Sequence, residues 1–488
     1  MAFKKILFVI EIVTICFLYT SSFFIQTDFR LSFYSAFLFL YFVTQTITAR
    51  LNHNKMKNIP APPWKSDTVD DNPDFTNIDL DLKTPEHLVV LLIVGHRENP
   101  VYWDMCLRSV LNIQTENLRA IYIMIDGNEA QDQPMYTSAS ALFSDPPPGF
   151  PPVHIHAVDK RGKRGMLYMG IERIRFDFHD IQNEINIAVT DSDTVLQPQS
   201  LVELEKCLLS DPRNGCATGL LDIYNVQDGL LPKIINARYY YAFAIERASL
   251  SYFGCMTCCS GPLSIYKLST LPPTIMERFR TQTFLGHTCE PGDDRHLTNL
   301  ILLQGYTSRQ TSLAIASTEA PETMMRFLLQ QLRWSRSFYR ELYWQIKSLD
   351  KQSFYLGLVT VYETLFPYFI LTWILILFFK RHEEILYIKA VILSFGIIFL
   401  RTLLMYIFSK GDRHIWYNLL YYFLYFLFLL PTKIYAGVTI TNNTWVTQSR
   451  DTKKISFSRD AICYITWIGL YQAMLVTGIF NVVYFFLM

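Results

Sequence analysis

Four short stretches hold the residues whose types and spacing could do chemistry. In TDSDT, Asp191 and Asp193 flank a serine. Two carboxylates one residue apart can hold a divalent cation, and the cation in turn a diphosphate, because Mg²⁺ takes one or two protein carboxylates and fills its shell with phosphate oxygens. In GDDRH, Asp293 and Asp294 follow a glycine. Adjacent acids cannot both face an apolar core unpaired, so one is read as a general base and the other as the cap of a helix starting at His296. DKRGKRG (159–165) combines four cations with two glycines, a loop able to reach a diphosphate. QQLRWSRSFYRE (330–341) crowds Arg333, Arg336 and Arg340 among aromatics. On a helix, Gln330, Arg333 and Trp334 fall at i, i+3 and i+4 and share one face. Each stretch also has a plain reading: a solvated turn, an acidic turn with an ordinary cap, a basic turn, and a basic helix on anionic lipid. Cys255, Cys258 and Cys259 lack a second CxxC at finger spacing and read as packing thiols rather than zinc ligands. His154 and His156 alternate along PPVHIHAV and read as the solvent face of a strand.

Apolar runs with β-branched residues position the acids. HLVVLLIVGHRENP, IYIMIDGNEAQD (121–132) and INIAVTDSDTV (185–195) each end in polar residues, the pattern of a buried parallel strand. Helical stretches such as MLYMGIERIRFD lie between them. The alternation predicts a doubly wound α/β domain, whose ligands bind at the carboxyl ends of the strands. Asp126, Asp191 and Asp193 stand at those ends.

Of the 488 residues, 50% are hydrophobic and 18% charged, with mean hydropathy +0.17. That is too apolar for a soluble protein and too polar for one wholly in the membrane, so a soluble domain joined to membrane helices is expected. A net charge of +1 gives no field that would favour nucleic acid. Nine cysteines in so long a chain do not make a disulfide framework. Runs of about 20 apolar residues span a bilayer. Such runs stand at 6–25, with Glu11 inside, and at 29–49; Lys4 and Lys5 before them and Arg50, Lys55 and Lys57 after them predict a hairpin with both ends in the cytosol. Residues 51–83 read as a linker, 84–320 as the cytosolic domain, 321–350 as interface helices and 351–488 as a channel region. In that last region 353–379, 384–408, 414–437 and 461–488 are apolar, the last long enough for one tilted crossing.

TDSDT, SGPLSIYK, GDDRHLTN and QQLRWSRSFYRE, in this order and at these separations, resemble the signature of processive membrane glycosyltransferases such as the cellulose and chitin synthases. GHRENP, DGN, GKR and SGPL bring the resemblance closest to the hyaluronan synthases of the vertebrate and viral class, over about residues 5 to 480. The resemblance implies a GT-A type domain inserted between transmembrane helices. It implies that Asp126 contacts the nucleotide, that Lys163 and Arg164 lie near the diphosphate, and that Asp191 and Asp193 position UDP and its Mg²⁺ or Mn²⁺. It makes Asp294 the general base beside Asp293, and puts Cys289, Gly261 and Pro262 close to the acceptor sugar. Gln330, Arg333 and Trp334 would frame the acceptor end and the leaving group, with Arg336 and Arg340 continuing the cationic side. Arg333 can offset charge on departing UDP, and Trp334 offers a flat apolar surface to a sugar ring.

The implied substrates are UDP-glucuronate and UDP-N-acetylglucosamine, the product is hyaluronan threaded through the lipid bilayer, and the location is the plasma membrane. A chitin-like synthase using UDP-N-acetylglucosamine alone is the runner-up, and a non-catalytic transporter or scaffold the alternative of another class. TNNTWVTQSR (441–450) departs from the family's WGT loop: Val446 replaces the glycine, while Trp445, Thr447 and Arg450 remain for the nucleotide. For this loop to be cytosolic, one of the C-terminal runs must not cross. Pro431 in 414–437 predicts a broken helix there, hence five crossings and one interfacial or re-entrant segment, with six crossings as the rival. Asn442-Asn443-Thr444 is a glycosylation sequon, and a glycan on Asn442 would put the loop outside.

Overall fold

A computed structural model of the chain describes residues 27–59, 87–442 and 459–488. The apolar run 6–25, residues 60–83 of the linker, and Trp445, Thr447 and Arg450 lie outside the described residues.

The first described helix, α1 (Thr27–Lys57), does not stop where the apolar run ends. Its last turns enter the soluble domain: Asn52 Nδ2 donates to the Gln310 carbonyl at 2.9 Å, and Met56 joins the main core. The linker therefore begins after a helix rather than at residue 51.

One eight-stranded sheet organises the domain. Its strands are β1 (Leu88–Gly95), β2 (Leu118–Asp126), β3 (Val153–Val158), β4 (Ile185–Asp191), β5 (Val195–Leu196), β6 (Asn214–Ile223), β7 (Ser264–Lys267) and β8 (Thr307–Thr318), in the order β3-β2-β1-β4-β7-β6-β8-β5. Val89 to Ile93 are wholly buried, as a strand covered on both faces requires. β3, β2, β1 and β4 run parallel. The pattern then departs from a purely parallel sheet, because β7 pairs antiparallel with both β4 and β6. This mixed sheet is the GT-A arrangement. The β4–β7 pairing sets the Ser260–Pro262 loop against the end of β4, where Thr190 Oγ1 donates to the Pro262 carbonyl at 2.8 Å.

Helices carry the remaining site residues: α2 (Gly162–Asp177), α3 (Leu230–Tyr241), α4 (Asp293–Gln304) and α5 (Met324–Ser348). The region 321–350 forms one long helix, not several. Four further helices follow: α6 (Phe354–Phe379), α7 (Glu384–Phe408), a composite α8 (Arg413–Val438) and α9 (Arg459–Leu487). All four are long and apolar enough to cross a membrane.

The helix α8 does not break at Pro431, contrary to the sequence reading. A π turn at Tyr425–Leu429 precedes the proline. Pro431 has no N–H for the Leu427 carbonyl, and Gln472 Nε2 of α9 donates to that carbonyl instead. Trp467 Nε1 of α9 donates to the Pro431 carbonyl at 2.9 Å. Each end of α8 packs against helices that also carry the catalytic domain's residues. At its start Ile415 packs with Tyr241 of α3 and with Ala49 of α1. Just past its end, Thr439 Oγ1 accepts from Arg336 of α5, and the Ile440 carbonyl accepts from Arg340.

Candidate active site

The carboxyl ends of β2 and β4 point into one cavity of about 1260 Å³. Asp126 closes β2, and its carboxylate accepts the backbone N–H groups of Arg161, at 2.6 Å, and Gly162. It thereby fixes the start of α2, so Lys163 projects from a helix rather than from a flexible loop. Lys163 Nζ lies 2.6 Å from Asp191 Oδ1 and 3.8 Å from Asp293 Oδ2. Burial works against the Lys163 charge, but Asp191, Asp293 and Asp294 outweigh it and hold the pKa above the ordinary lysine value. Asp193 is buried, with Thr318 Oγ1 donating to its Oδ2 at 3.3 Å.

Gly261 has a steric reason. A Cβ there would lie 2.9 Å from Lys163 Nζ and 3.2 Å from both Asp191 oxygens. Gly261, Pro262 and Ser260 form a floor that lets backbone approach this ion pair.

The GDD acids stand at the N-terminus of α4. Gly292, at φ 92°, occupies the cap, so both acids lie in the first turn and the helix begins three residues before the expected His296. Negative charge is favoured there by the aligned backbone dipoles. Asp294 Oδ1 accepts from the backbone N–H of Arg295 at 2.7 Å, and Oδ2 accepts from Cys258 Sγ at 3.3 Å. Burial raises the Asp294 pKa, but Arg295 and Lys163 outweigh it and leave the group below its ordinary value, ionised at neutral pH. Burial, with Asp294 beside it, pushes the Cys258 thiol up to about 12, so it stays a donor. Cys258 is a site residue that the sequence reading took for packing; its place two residues before SGPL was the available signal.

From α5, Gln330, Arg333 and Trp334 all face the cavity. Gln330 Oε1 is buried with no hydrogen-bond partner among the described residues. Trp334 is 38% exposed, with its ring centroid 6.4 Å from that of Tyr239.

Eleven of the expected residues thus meet: Asp126, Lys163, Asp191, Asp193, Gly261, Pro262, Asp293, Asp294, Gln330, Arg333 and Trp334. Four described ones do not. Arg164 turns away from Lys163, as neighbours on a helix do; it stacks 4.8 Å from the Phe279 ring and donates to the Phe279 carbonyl. Cys289 is buried outside the cavity, its thiol 3.7 Å from the His287 carbonyl. Arg336 lies on another face of α5, where it makes a two-pronged ion pair with Asp460 at 2.9 and 3.1 Å and donates to Thr439. Arg340 is likewise structural, donating to the Pro291 carbonyl at 2.9 Å.

The cavity continues past Trp334 between α1, α6, α7 and α8, where Tyr41, Tyr362, Tyr422 and Tyr425 line it together with Glu363, Arg401 and Lys433. An ionisable residue inside an apolar run marks a pathway, so YETLF, FLRTLL and PTKIY carried a signal that the motif reading passed over.

Residues 85–337 match the family model described as "Glycosyltransferase like family 2". The chain is 31% identical over 452 residues to "Hyaluronan synthase 3" of Mus musculus, covering 87% of this chain and 78% of that protein. It is 31% identical over 469 residues to "Hyaluronan synthase 2" of Gallus gallus, covering 89% and 80%. Among solved structures, a mannosyltransferase of Pyrobaculum calidifontis in complex with GDP-Man and Mn²⁺ aligns over 82% of this chain and 98% of that one, with a TM-score of 0.47 and 13% identity.

Proposed function

The chain belongs to the hyaluronan synthase family of glycosyltransferases, and from that premise we propose that it joins UDP-glucuronate and UDP-N-acetylglucosamine into hyaluronan processively and exports the polymer itself. One observation carries the proposal: a single cavity is lined both by the DxD, GDD and QxxRW residues and by residues of the membrane helices.

Asp294, ionised and held by Arg295 and Cys258, takes the proton from the acceptor hydroxyl. The freed oxygen attacks the anomeric carbon from the side opposite UDP, the bond to the diphosphate breaks, and UDP departs with the electron pair, inverting the centre. Lys163 and Arg333 offset the charge that develops on the leaving group. Trp334 and Gln330 hold the acceptor sugar by its apolar face and a hydroxyl. Asp191 and Asp193 suit Mg²⁺ or Mn²⁺, because they offer hard oxygen ligands and an ammonium already sits at 2.6 Å on one of them. When bound, the ion supplies further positive charge to the diphosphate. The α5 helix, at the junction of domain and apolar helices, holds the sugar end where the passage begins.

The same reading places the catalytic domain in the cytosol of a plasma-membrane protein. Helices α1, α6, α7 and α9 are read as crossing, and the run 6–25 is counted as a further crossing from its sequence alone. The two ends of α8 rest on α3 and α5, which supports a helix lying along the interface despite its apolar length. Five crossings follow, and Asn442, two residues past Ile440, stays on the cytosolic side, away from glycosylation. Purified protein in detergent with Mg²⁺ or Mn²⁺, given each UDP-sugar alone and then both, tests the function. Long, hyaluronidase-sensitive polymer only with both sugars is expected. Polymer from UDP-N-acetylglucosamine alone would replace hyaluronan with a chitin-like product, and binding without UDP release would replace the enzyme with a transporter.

A further inference from the structure

The contacts between α4 and α5 are unusually polar for two packed helices. Glu341 of α5, 2% exposed, receives three hydrogen bonds. Gln282 Nε2 donates at 2.6 Å, Asn299 Nδ2 at 2.9 Å, and His296 Nδ1 lies at 3.1 Å. His296 and Asn299 sit one turn apart on α4. Gln282 precedes the loop that leads into α4, and its own carbonyl accepts the backbone N–H of Cys289 at 3.0 Å. His296 is fully buried, stacked on Phe279 and edge-on to Trp344. Its Nε2 has no partner among the described residues, so Nδ1 is the ring nitrogen that meets the carboxylate. Burial would raise the Glu341 pKa, but His296 and the donated hydrogen bonds more than offset it, and the group stays ionised.

Two further contacts tighten the same seam. Arg340 holds the Pro291 carbonyl, and Gly292 meets Ser337 so closely that a Cβ would stand 1.8 Å from Ser337 Oγ. The seam therefore runs along Ser337, Arg340 and Glu341, next to the helix face that carries Arg333 and Trp334. On the other side it begins immediately at Asp293 and Asp294.

We propose that Glu341 is a positioning residue for glycosyl transfer: its carboxylate fixes α4 on α5 and so sets Asp294 relative to Arg333 and Trp334. Apolar packing alone would let two helices slide or turn against each other, whereas a carboxylate with donors on two elements fixes direction as well as distance. The inference rests on the reading of Asp294 as base. It predicts damage to the chemical step rather than to nucleotide binding, because the UDP-facing residues Asp126 and Asp191 lie on strands that Glu341 does not touch. A displacement of about 1 Å between reacting groups costs about 100-fold.

The test uses the full chain in detergent with both UDP-sugars, measuring kcat and KM for each sugar and the Kd for UDP. Glu341→Gln puts an amide where three donors converge, and kcat should fall about 10- to 100-fold while KM and Kd change less than about twofold. Asn299→Leu, a milder lesion, should lower kcat about 3- to 10-fold with the same split. Gln282→Glu combined with Glu341→Gln returns a carboxylate across the 2.6 Å bond and should recover most of the loss. Unchanged kcat in both single variants would overturn the proposal. So would parallel loss of kcat and UDP affinity without recovery in the double variant, which is the mark of a merely structural role. Turnover in Asp294→Asn would overturn the base and the positioning role together, whereas a dead Asp294→Asn beside a fully active Glu341→Gln overturns the positioning role alone.

Discussion

Replacing Asp294 by Asn separates binding from chemistry more cleanly than any other single change in this site. The geometry predicts that the isostere fits. The carboxamide oxygen can keep the 2.7 Å bond from the Arg295 N–H, and its NH₂ then faces Cys258 Sγ, a weak acceptor. What disappears is a partly buried negative charge beside Lys163 and the carboxylate read here as taking the acceptor proton. A positioned general base contributes about 10²- to 10⁴-fold, so the barrier should rise by about 3–5 kcal/mol. UDP binding should change little, because Lys163 keeps its 2.6 Å contact with Asp191, and removing one acid next to a diphosphate site does not weaken an anion's hold. The assay is UDP release under saturating sugars, paired with calorimetric titration of UDP. Loss of turnover with UDP Kd held within about threefold supports the base. Equal loss of both would mean that Asp294 belongs to the nucleotide site. Turnover within about tenfold of the wild type would mean that the proton goes elsewhere, with Asp293 the next group to test.

Three other outcomes follow from the same structure. Gly261→Ala puts a methyl 2.9 Å from Lys163 Nζ and should weaken UDP binding about tenfold by titration, because the ion pair must part to admit it. Arg336→Met removes the two-pronged guanidinium from the partly buried Asp460, which keeps its bond from the Tyr435 hydroxyl, and should cost about 1–3 kcal/mol, seen as a lower thermal midpoint, with UDP affinity unchanged because Arg336 is outside the cavity. Glu205 is buried, and burial, eased only by the Asn117 amide, pushes its pKa from 4.5 to about 7. Between those values the folded state holds a proton that the unfolded state has lost, so stability falls as pH rises through that window, by about 3 kcal/mol in all. Glu205→Gln should therefore raise the thermal midpoint at pH 8 and leave it nearly unchanged at pH 4.5.

Much of the site was legible because its chemistry sits at strand ends and on one helix face. Asp126 and Asp191 close apolar runs, and an apolar run that ends in an acid has few other places to go. The i, i+3, i+4 spacing of Gln330, Arg333 and Trp334 survives in any helix. Arg164, Cys289 and Arg336 were misplaced for a common reason: spacing gives the period of a helix or loop but not which neighbour each face meets. Lys163 and Arg164 share a motif and part company by about 100° around the helix axis. The start of α4 was read three residues late because a left-handed glycine, not an acidic side chain, caps it. The antiparallel β7 was invisible in SIYK, since strand direction depends on what pairs with it. For α8, hydropathy measures length and composition, and neither says on which side a helix ends. Pro431 was read as a break, but the π turn and Gln472 accommodate it within a continuous helix.

The shared cavity has a mechanical consequence. Under the proposed function the passage begins at the residues that make the bond, so elongation and export become one displacement measured at two ends. A load on the outer end of the polymer, whether viscous drag or an entangled matrix, is transmitted along the chain to the acceptor hydroxyl beside Asp294. Such a load acts as a brake on catalysis, and the stalling force measures how much of each transfer's free energy is available as work.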